Sequence, residues 1–173
     1  MNDDSHEAMK VHIRWMIRRD MPEVLEIEQE SFDFPWNEED FLRCLQQRNC
    51  IGMVAEYEEQ VVGFMIYELQ KECLHVLNFA VDPACRRHRV GTSMMSKLIG
   101  KLSPQRRNHI SLEVRETNLP AQLFFRATGF RALRIIRDYY EDSTDDAYLM
   151  RYYHVPIKAA KMPVNRIGRR MAG

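Results

Sequence analysis

The stretch 74–92 changes period halfway along, and that change constrains the fold more than any other feature of the chain. Residues 74–81 form an apolar run that stops at Asp82-Pro83 and predicts a central strand. Beyond the loop Arg86-Arg87-His88-Arg89, residues Val90, Met94, Leu98 and Leu102 recur at helical spacing, with Met95 and Ile99 beside them, so 90–102 predicts a helix. Strands alternating with amphipathic helices pack as layers on a sheet.

The flanking sequence follows the same alternation. Residues 11–18 alternate imperfectly and predict a first strand, preceded by a loose leader over 1–10. Asp20 and Glu23 have capping-box spacing ahead of Val24, Leu25 and Ile27, which predicts a short helix. Phe32-Asp33-Phe34-Pro35-Trp36 interrupts it, and Asn37 with Asp40 offers a second cap before Phe41, Leu42 and Leu45. Apolar runs over 51–57 and 61–69, separated by Glu58-Glu59-Gln60, predict an antiparallel hairpin. Residues 110–114 predict a strand, and 118–127 a helix with Pro120 in its first turn and Gly129 as its stop. Two last strands, 130–139 and 147–155, flank the acidic turn 141–146. The expected class is α/β, a layered domain around a mixed sheet.

Composition fits one such domain and removes several other classes. Of 173 residues, 45% are hydrophobic and 29% charged, which excludes a wholly disordered, fibrous or coiled-coil chain. Lys plus Arg equals Asp plus Glu at 25 each, which argues against a generally electrostatic nucleic-acid binder. The charge is unevenly placed, however: 156–173 carries Lys158, Lys161, Arg166, Arg169 and Arg170 and no acid, leaving 20 basic against 25 acidic residues elsewhere. That basic tail is read as a flexible solubilising segment, with weak docking on rRNA or an acidic protein as the alternative. No run of 18 apolar residues exists and the start is polar, so neither a membrane span nor a secretion signal is expected, and the cytoplasm is the expected compartment. Cys44, Cys50, Cys73 and Cys85 form no CxxC pair, and His75, His88, His109 and His154 have no metal-ligand spacing, so no metal is expected. Ser31, Ser93 and Ser111 define no nucleophile elbow, which leaves direct transfer ahead of a covalent intermediate.

Chemistry concentrates at the change of period. A strand passing through a loop into a helix start presents free amides and a helix dipole to an anion such as phosphate. The arginines add charge-assisted contacts, Gly91 admits close backbone approach and Thr92 offers a hydroxyl. On strand alternation alone, Glu113 and Arg115 share one face and form a weak ion pair. Asn118 reads as an ordinary N-cap, and Phe125 as helix core.

In order and spacing, Phe34-Pro35-Trp36, 78–83, 86–92, Leu112-Glu113-Val114-Arg115, Asn118, Gly129-Phe130 and Arg137-Asp138-Tyr139-Tyr140 resemble the GNAT superfamily of acetyl-CoA-dependent N-acetyltransferases. Within it they look most like the RimI-type ribosomal-protein alanine acetyltransferases. The resemblance spans about 11–155 and implies a three-layer fold whose mixed sheet is splayed between two central parallel strands. It implies that Arg86, Arg87, His88, Arg89, Val90, Gly91 and Thr92 bind the CoA diphosphate. Phe79, Ala80 and Val81 would pair with the pantetheine amides and stabilise the oxyanion, with Asn118 helping to hold CoA. It makes Glu113 the general base, acting through water, and Phe34, Trp36, Tyr139 and Tyr140 the acceptor wall. Two departures are visible: Arg89 stands where the family has a second glycine, and Phe125 where a tyrosine commonly protonates the leaving thiolate, which leaves water, Tyr139 or Tyr140 as the acid or dispenses with one. The implied function is acetyl transfer to a protein's N-terminal α-amine, with an alanine-start ribosomal protein as acceptor. A polyamine or other small-amine acetyltransferase and a catalytically weak acyl-CoA-binding or ribosome-associated module are the alternatives.

Overall fold

A computed structural model describes residues 7–154; the 156–173 tail lies outside the described residues. In chain order the elements are β1 (His12–Trp15), α1 (Met21–Ser31), α2 (Glu38–Leu45), β2 (Cys50–Tyr57), β3 (Gln60–Leu69), β4 (Cys73–Val81), α3 (Val90–Ile99), β5 (His109–Arg115), α4 (Leu119–Ala127), β6 (Arg131–Ile136) and β7 (Ala147–Tyr153). The seven strands form one sheet in the order β1-β2-β3-β4-β5-β7-β6. Every neighbouring pair is antiparallel except β4 with β5.

Two apolar layers hold the helices on opposite faces. Val90, Met94, Met95 and Leu98 of α3 and Phe125 of α4 pack on Met65, Tyr67, Leu74, Ile110 and Leu112. On the other face Met21, Val24 and Ile27 of α1 and Phe41 and Cys44 of α2 cover Val54, Phe64, Ile66 and Ala80. This is the expected three-layer α/β arrangement with a mixed sheet, and strand alternation builds it by sending Ile110, Leu112 and Val114 to one side and Ser111, Glu113 and Arg115 to the other.

The opening of the sheet has a local cause. Ile66 pairs with Asn78 but the next residue, Tyr67, pairs with Val76, so Leu77 bulges out of β4. A bulge bends its strand and breaks the ladder. Pairing with β5 covers only Cys73, Leu74 and His75, and from the bulge onward β4 leaves its parallel neighbour. The same extra residue shifts the alternation, so that Leu74 and Val76 face the α3 layer while Leu77 and Ala80 face the α1 layer.

Several local expectations are corrected. The first strand ends at Trp15 because Asp20 accepts the Ile17 amide at 2.8 Å and turns the chain into a 3-10 segment. Asp20 does not cap α1: its carboxylate is buried and takes both terminal nitrogens of Arg14, at 2.8 and 2.9 Å. Glu23 does not reach back to Asp20 either, because it accepts the Val61 amide at 2.8 Å. The Asn37–Asp40 capping box is formed reciprocally at 3.0 Å in both directions. The β2–β3 hairpin turns on two residues rather than three, Glu58 and Glu59, both at positive φ (49° and 66°) as the right-handed twist of a two-residue hairpin demands. The last helical turn of 90–102 is lost after Ile99, and the 130–139 strand stops at Ile136, releasing Tyr139 and Tyr140 into the β6–β7 loop. In that loop Asp146 accepts from the Asp138 amide at 3.0 Å and pairs with Arg137, and Asp138 sits at φ 49°.

Candidate active site

The carboxyl ends of β4 and β5 diverge into a cleft, where ligands of open parallel sheets bind. Beyond His75, no β5 residue pairs with β4, so the edge of Phe79, Ala80 and Val81 toward β5 is open, while β3 pairs with their other edge through Met65, Phe64 and Gly63. The Phe79 ring turns away from this edge and packs against Phe124 and Phe125, with centroids 5.8 and 6.1 Å apart. What Phe79–Val81 can offer a ligand is therefore backbone, the element that pairs with amides or stabilises an oxyanion.

The loop after β4 is built to expose amides. Asp82 accepts the Ala84 amide at 2.8 Å and starts a 3-10 turn over Pro83–Cys85. Arg87 and Arg89 then take left-handed conformations, φ 66° and 62°, before α3 begins at Val90. Arg86, Arg87, Arg89 and Thr92 are exposed, and Val90 is buried as the first core residue of α3. Arg86 is tied down: its Nε donates to the Val81 carbonyl and its Nη2 to Ser31 Oγ, each at 3.1 Å. The chain before β1 braces the loop from outside, with the Met9 amide donating to the His88 carbonyl at 3.0 Å and the Glu7 carbonyl 3.3 Å from His88 Nδ1. A Cβ on Gly91 would sit 3.2 Å from the Phe124 ring and 3.4 Å from that of Phe79, so a side chain there would push the α4 rings outward by a few tenths of an ångström. These features suit a diphosphate.

Arg89 shows why a glycine is the easier residue there. A left-handed non-glycine residue carries a penalty of about 1 kcal/mol. Arg89→Gly should raise the free energy of unfolding by about 0.5–1 kcal/mol, measured by denaturant titration. A loss of stability instead would mean that the Arg89 side chain holds the loop.

Asn118 Oδ1 accepts the Ala121 amide at 3.1 Å and caps α4. Phe125 is buried among Phe79, Phe124 and Phe130, at 5.2–6.1 Å between centroids. It carries no polar hydrogen to donate.

On the α1 face of the sheet the ion pairs differ from the sequence expectation. Glu113 and Arg115 do not pair with each other. Glu113 Oε2 lies 2.6 Å from His75 Nε2, the two side chains being only 15% and 18% exposed. The hydrogen bond to Glu113 and its negative charge raise the His75 pKa against the opposing effect of burial, the hydrogen bond being the largest cause. His75 is the functional candidate the sequence does not single out: no spacing marks it as a metal ligand, and its carboxylate partner lies 38 residues away. Parallel pairing of His75 with Ser111 brings it within reach of Glu113, one step further along the same face of β5.

Tyr139 is 41% exposed and lies close enough to Glu113 to feel its charge. Burial, the Glu113 charge and a hydrogen bond to Glu113 all push its hydroxyl upward. Tyr140 packs edge-on against Tyr139 at 5.0 Å, and burial pushes its hydroxyl to about 12, so both remain neutral donors near pH 7. Across the cleft Phe34 is half exposed, and Trp36 packs edge-on against Phe41 at 5.3 Å. Glu28, buried under this segment, accepts the Trp36 amide at 2.8 Å and Asn78 Nδ2 at 3.0 Å. Phe34 and Tyr140 meet at the Arg115 guanidinium and Tyr139 packs on Tyr140, while Trp36 is held apart from them against Phe41 and by Glu28.

Residues 21–130 match the model of the acetyltransferase (GNAT) family. The chain belongs to that family. As a GNAT protein it is an acetyl-CoA-dependent N-acetyltransferase. It is 33% identical to an uncharacterized N-acetyltransferase of Methanocaldococcus jannaschii over 139 residues, 80% of this chain and 88% of that one. It is 28% identical to a putative ribosomal protein bS18-alanine N-acetyltransferase of Bacillus subtilis over 142 residues, 82% and 94% of the two chains. The crystal structure of the ribosomal-protein-S18-alanine N-acetyltransferase from Escherichia coli superimposes with a TM-score of 0.75 at 26% identity, covering 87% of this chain and 98% of that one. Among the described residues no group of three or more His, Cys, Asp or Glu is arranged to hold a metal ion, and no helix is long and apolar enough to cross a membrane.

Proposed function

We propose that this protein acetylates the N-terminal α-amine of a protein, with an alanine-start ribosomal protein as acceptor and residues 11–155 as the catalytic unit in the cytoplasm. The observation that carries this reading is the largely buried Glu113–His75 pair on the strand beside the open β4 edge. The likeness to bS18-alanine N-acetyltransferases of two bacteria supports the acceptor.

In this reading acetyl-CoA supplies an activated thioester, and the chain's own residues do the rest. The 86–92 loop and Asn118 bind its anionic and polar portions, and the free edge of Phe79–Val81 orients the carbonyl and donates to the oxyanion that develops on attack. Phe34, Trp36, Tyr139 and Tyr140 enclose the acceptor terminus. An α-amine has a reference pKa of about 8, so a positioned base of moderate strength suffices. Glu113 takes the amine's proton through water, and His75, 2.6 Å from its carboxylate, orients it. Tyr139 or water serves as the proton source for the leaving thiolate, since Phe125 has none to give. Contact of the five-cation tail with rRNA is the remaining element of the proposal, and raised salt should weaken it.

The test is mass-resolved acetyl transfer from labelled acetyl-CoA to alanine-start, methionine-start and internal-lysine peptides, with spermidine as control. Label on the alanine α-amine is expected. Label on spermidine alone would move the protein to the small-amine acetyltransferases, and CoA binding without transfer to a binding module.

A further inference from the structure

Arg115 ends β5 two residues beyond Glu113, on the same face of the sheet, and it is part of no function given above. Its guanidinium makes an unusual number of contacts for a side chain 20% exposed. Nη1 donates to Ser143 Oγ at 2.6 Å and Asp145 Oδ2 at 2.9 Å, and Nη2 to both oxygens of Asp142 at 3.0 and 3.1 Å. Its flat face covers the Tyr140 ring at 3.7 Å and stands 5.3 Å from the Phe34 ring. Only a planar fork does both: the edge grips two carboxylates and a hydroxyl while the face stacks on aromatics.

We propose that Arg115 is a positioning residue that clamps the β6–β7 loop onto the α1–α2 connection and so fixes the aromatic wall that receives the acceptor. The proposal rests on the function proposed above. The loop runs from Arg137 to Asp146 outside any strand, and its two tyrosines follow Asp138, whose backbone is left-handed. Arg115 braces it from within at Asp142, Ser143 and Asp145, and Tyr140 transmits that position to Tyr139 by edge-on packing. Tyr139 in turn lies within range of the Glu113 charge. The Phe34 side of the cleft joins the same cation. Arg115 touches neither the base nor the β4 edge, so its loss should loosen acceptor binding far more than the chemical step.

Arg115→Ala is expected to raise KM for the alanine-start peptide by about tenfold or more while kcat and KM for acetyl-CoA stay within about twofold. Arg115→Lys keeps the charge but loses the fork, and should recover only part of the defect. Asp142→Asn, which weakens one strut near the surface, should act in the same direction and less. Amide hydrogen exchange over 137–146 should accelerate in Arg115→Ala relative to β5 and β7. Unchanged exchange over 137–146, or a fall in kcat with peptide KM unmoved, overturns the clamp. Exchange needs no turnover, so it judges the clamp even if the wild-type protein leaves every peptide unmodified, an outcome that would sink the acceptor assignment alone.

Discussion

Glu113→Gln should lower kcat for peptide acetylation by about 10²- to 10⁴-fold, the range that a positioned general base contributes, while acetyl-CoA binding holds. The substitution keeps the shape and one hydrogen-bond acceptor and removes the proton sink. Because Glu113 and His75 are 2.6 Å apart, the protonation of His75 should show in the pH profile. The raised His75 pKa predicts a rate that climbs with pH through a limb above the ordinary imidazole value of about 6.5. In His75→Asn that limb should disappear. The stability effect has the opposite sign. A histidine whose pKa is raised on folding favours the fold below its unfolded pKa, and that contribution fades as pH rises through the folded value. Thermal unfolding of wild type against His75→Asn between pH 5 and 9 should therefore converge at the alkaline end. Full activity in Glu113→Gln would remove the base from Glu113.

Features of this chain that rest on neighbours in sequence are legible from the residues, and those that rest on distant partners are not. The 90–99 helix, the Asn37–Asp40 box and the 78–92 junction rest on neighbours in sequence, and their residue types state the structure directly. The Asp20–Glu23 pair has the spacing of a cap and is none, because Arg14 and the Val61 amide, distant in the chain, compete for those carboxylates and win with charged or buried partners. The same competition separated Glu113 from Arg115: alternation gives the shared face but cannot say that His75 and the acidic loop supply nearer partners. The splay was equally hidden, since it depends on the single unopposed residue Leu77, and an unbroken apolar run gives no sign of which residue bulges. Once the bulge is placed, Asn78 turns toward α1 rather than α3, and the link to Glu28 follows.

That link sets up the largest expected effect on stability. Glu28 is 1% exposed and holds two donors from different parts of the fold, the Trp36 amide and the Asn78 side chain. Burial raises its pKa, and the two donors oppose that rise without cancelling it. A carboxyl raised on folding stabilises the protein below its unfolded pKa and loses that contribution as pH rises through the folded value. Glu28→Gln should flatten this dependence at little net cost, since the amide oxygen still accepts from Trp36 and the Asn78 amide can turn to offer its oxygen to the new nitrogen. Glu28→Ala should be quite different. It leaves both donors without a partner and opens a cavity beneath the aromatic segment, a loss of about 2–4 kcal/mol or about 5–15 °C in Tm. Since the Trp36 amide is one of the anchors of that segment, peptide KM should rise in Glu28→Ala and stay near wild type in Glu28→Gln. Equal destabilisation of both variants would mean that the negative charge, rather than the two hydrogen bonds, is what this buried position requires.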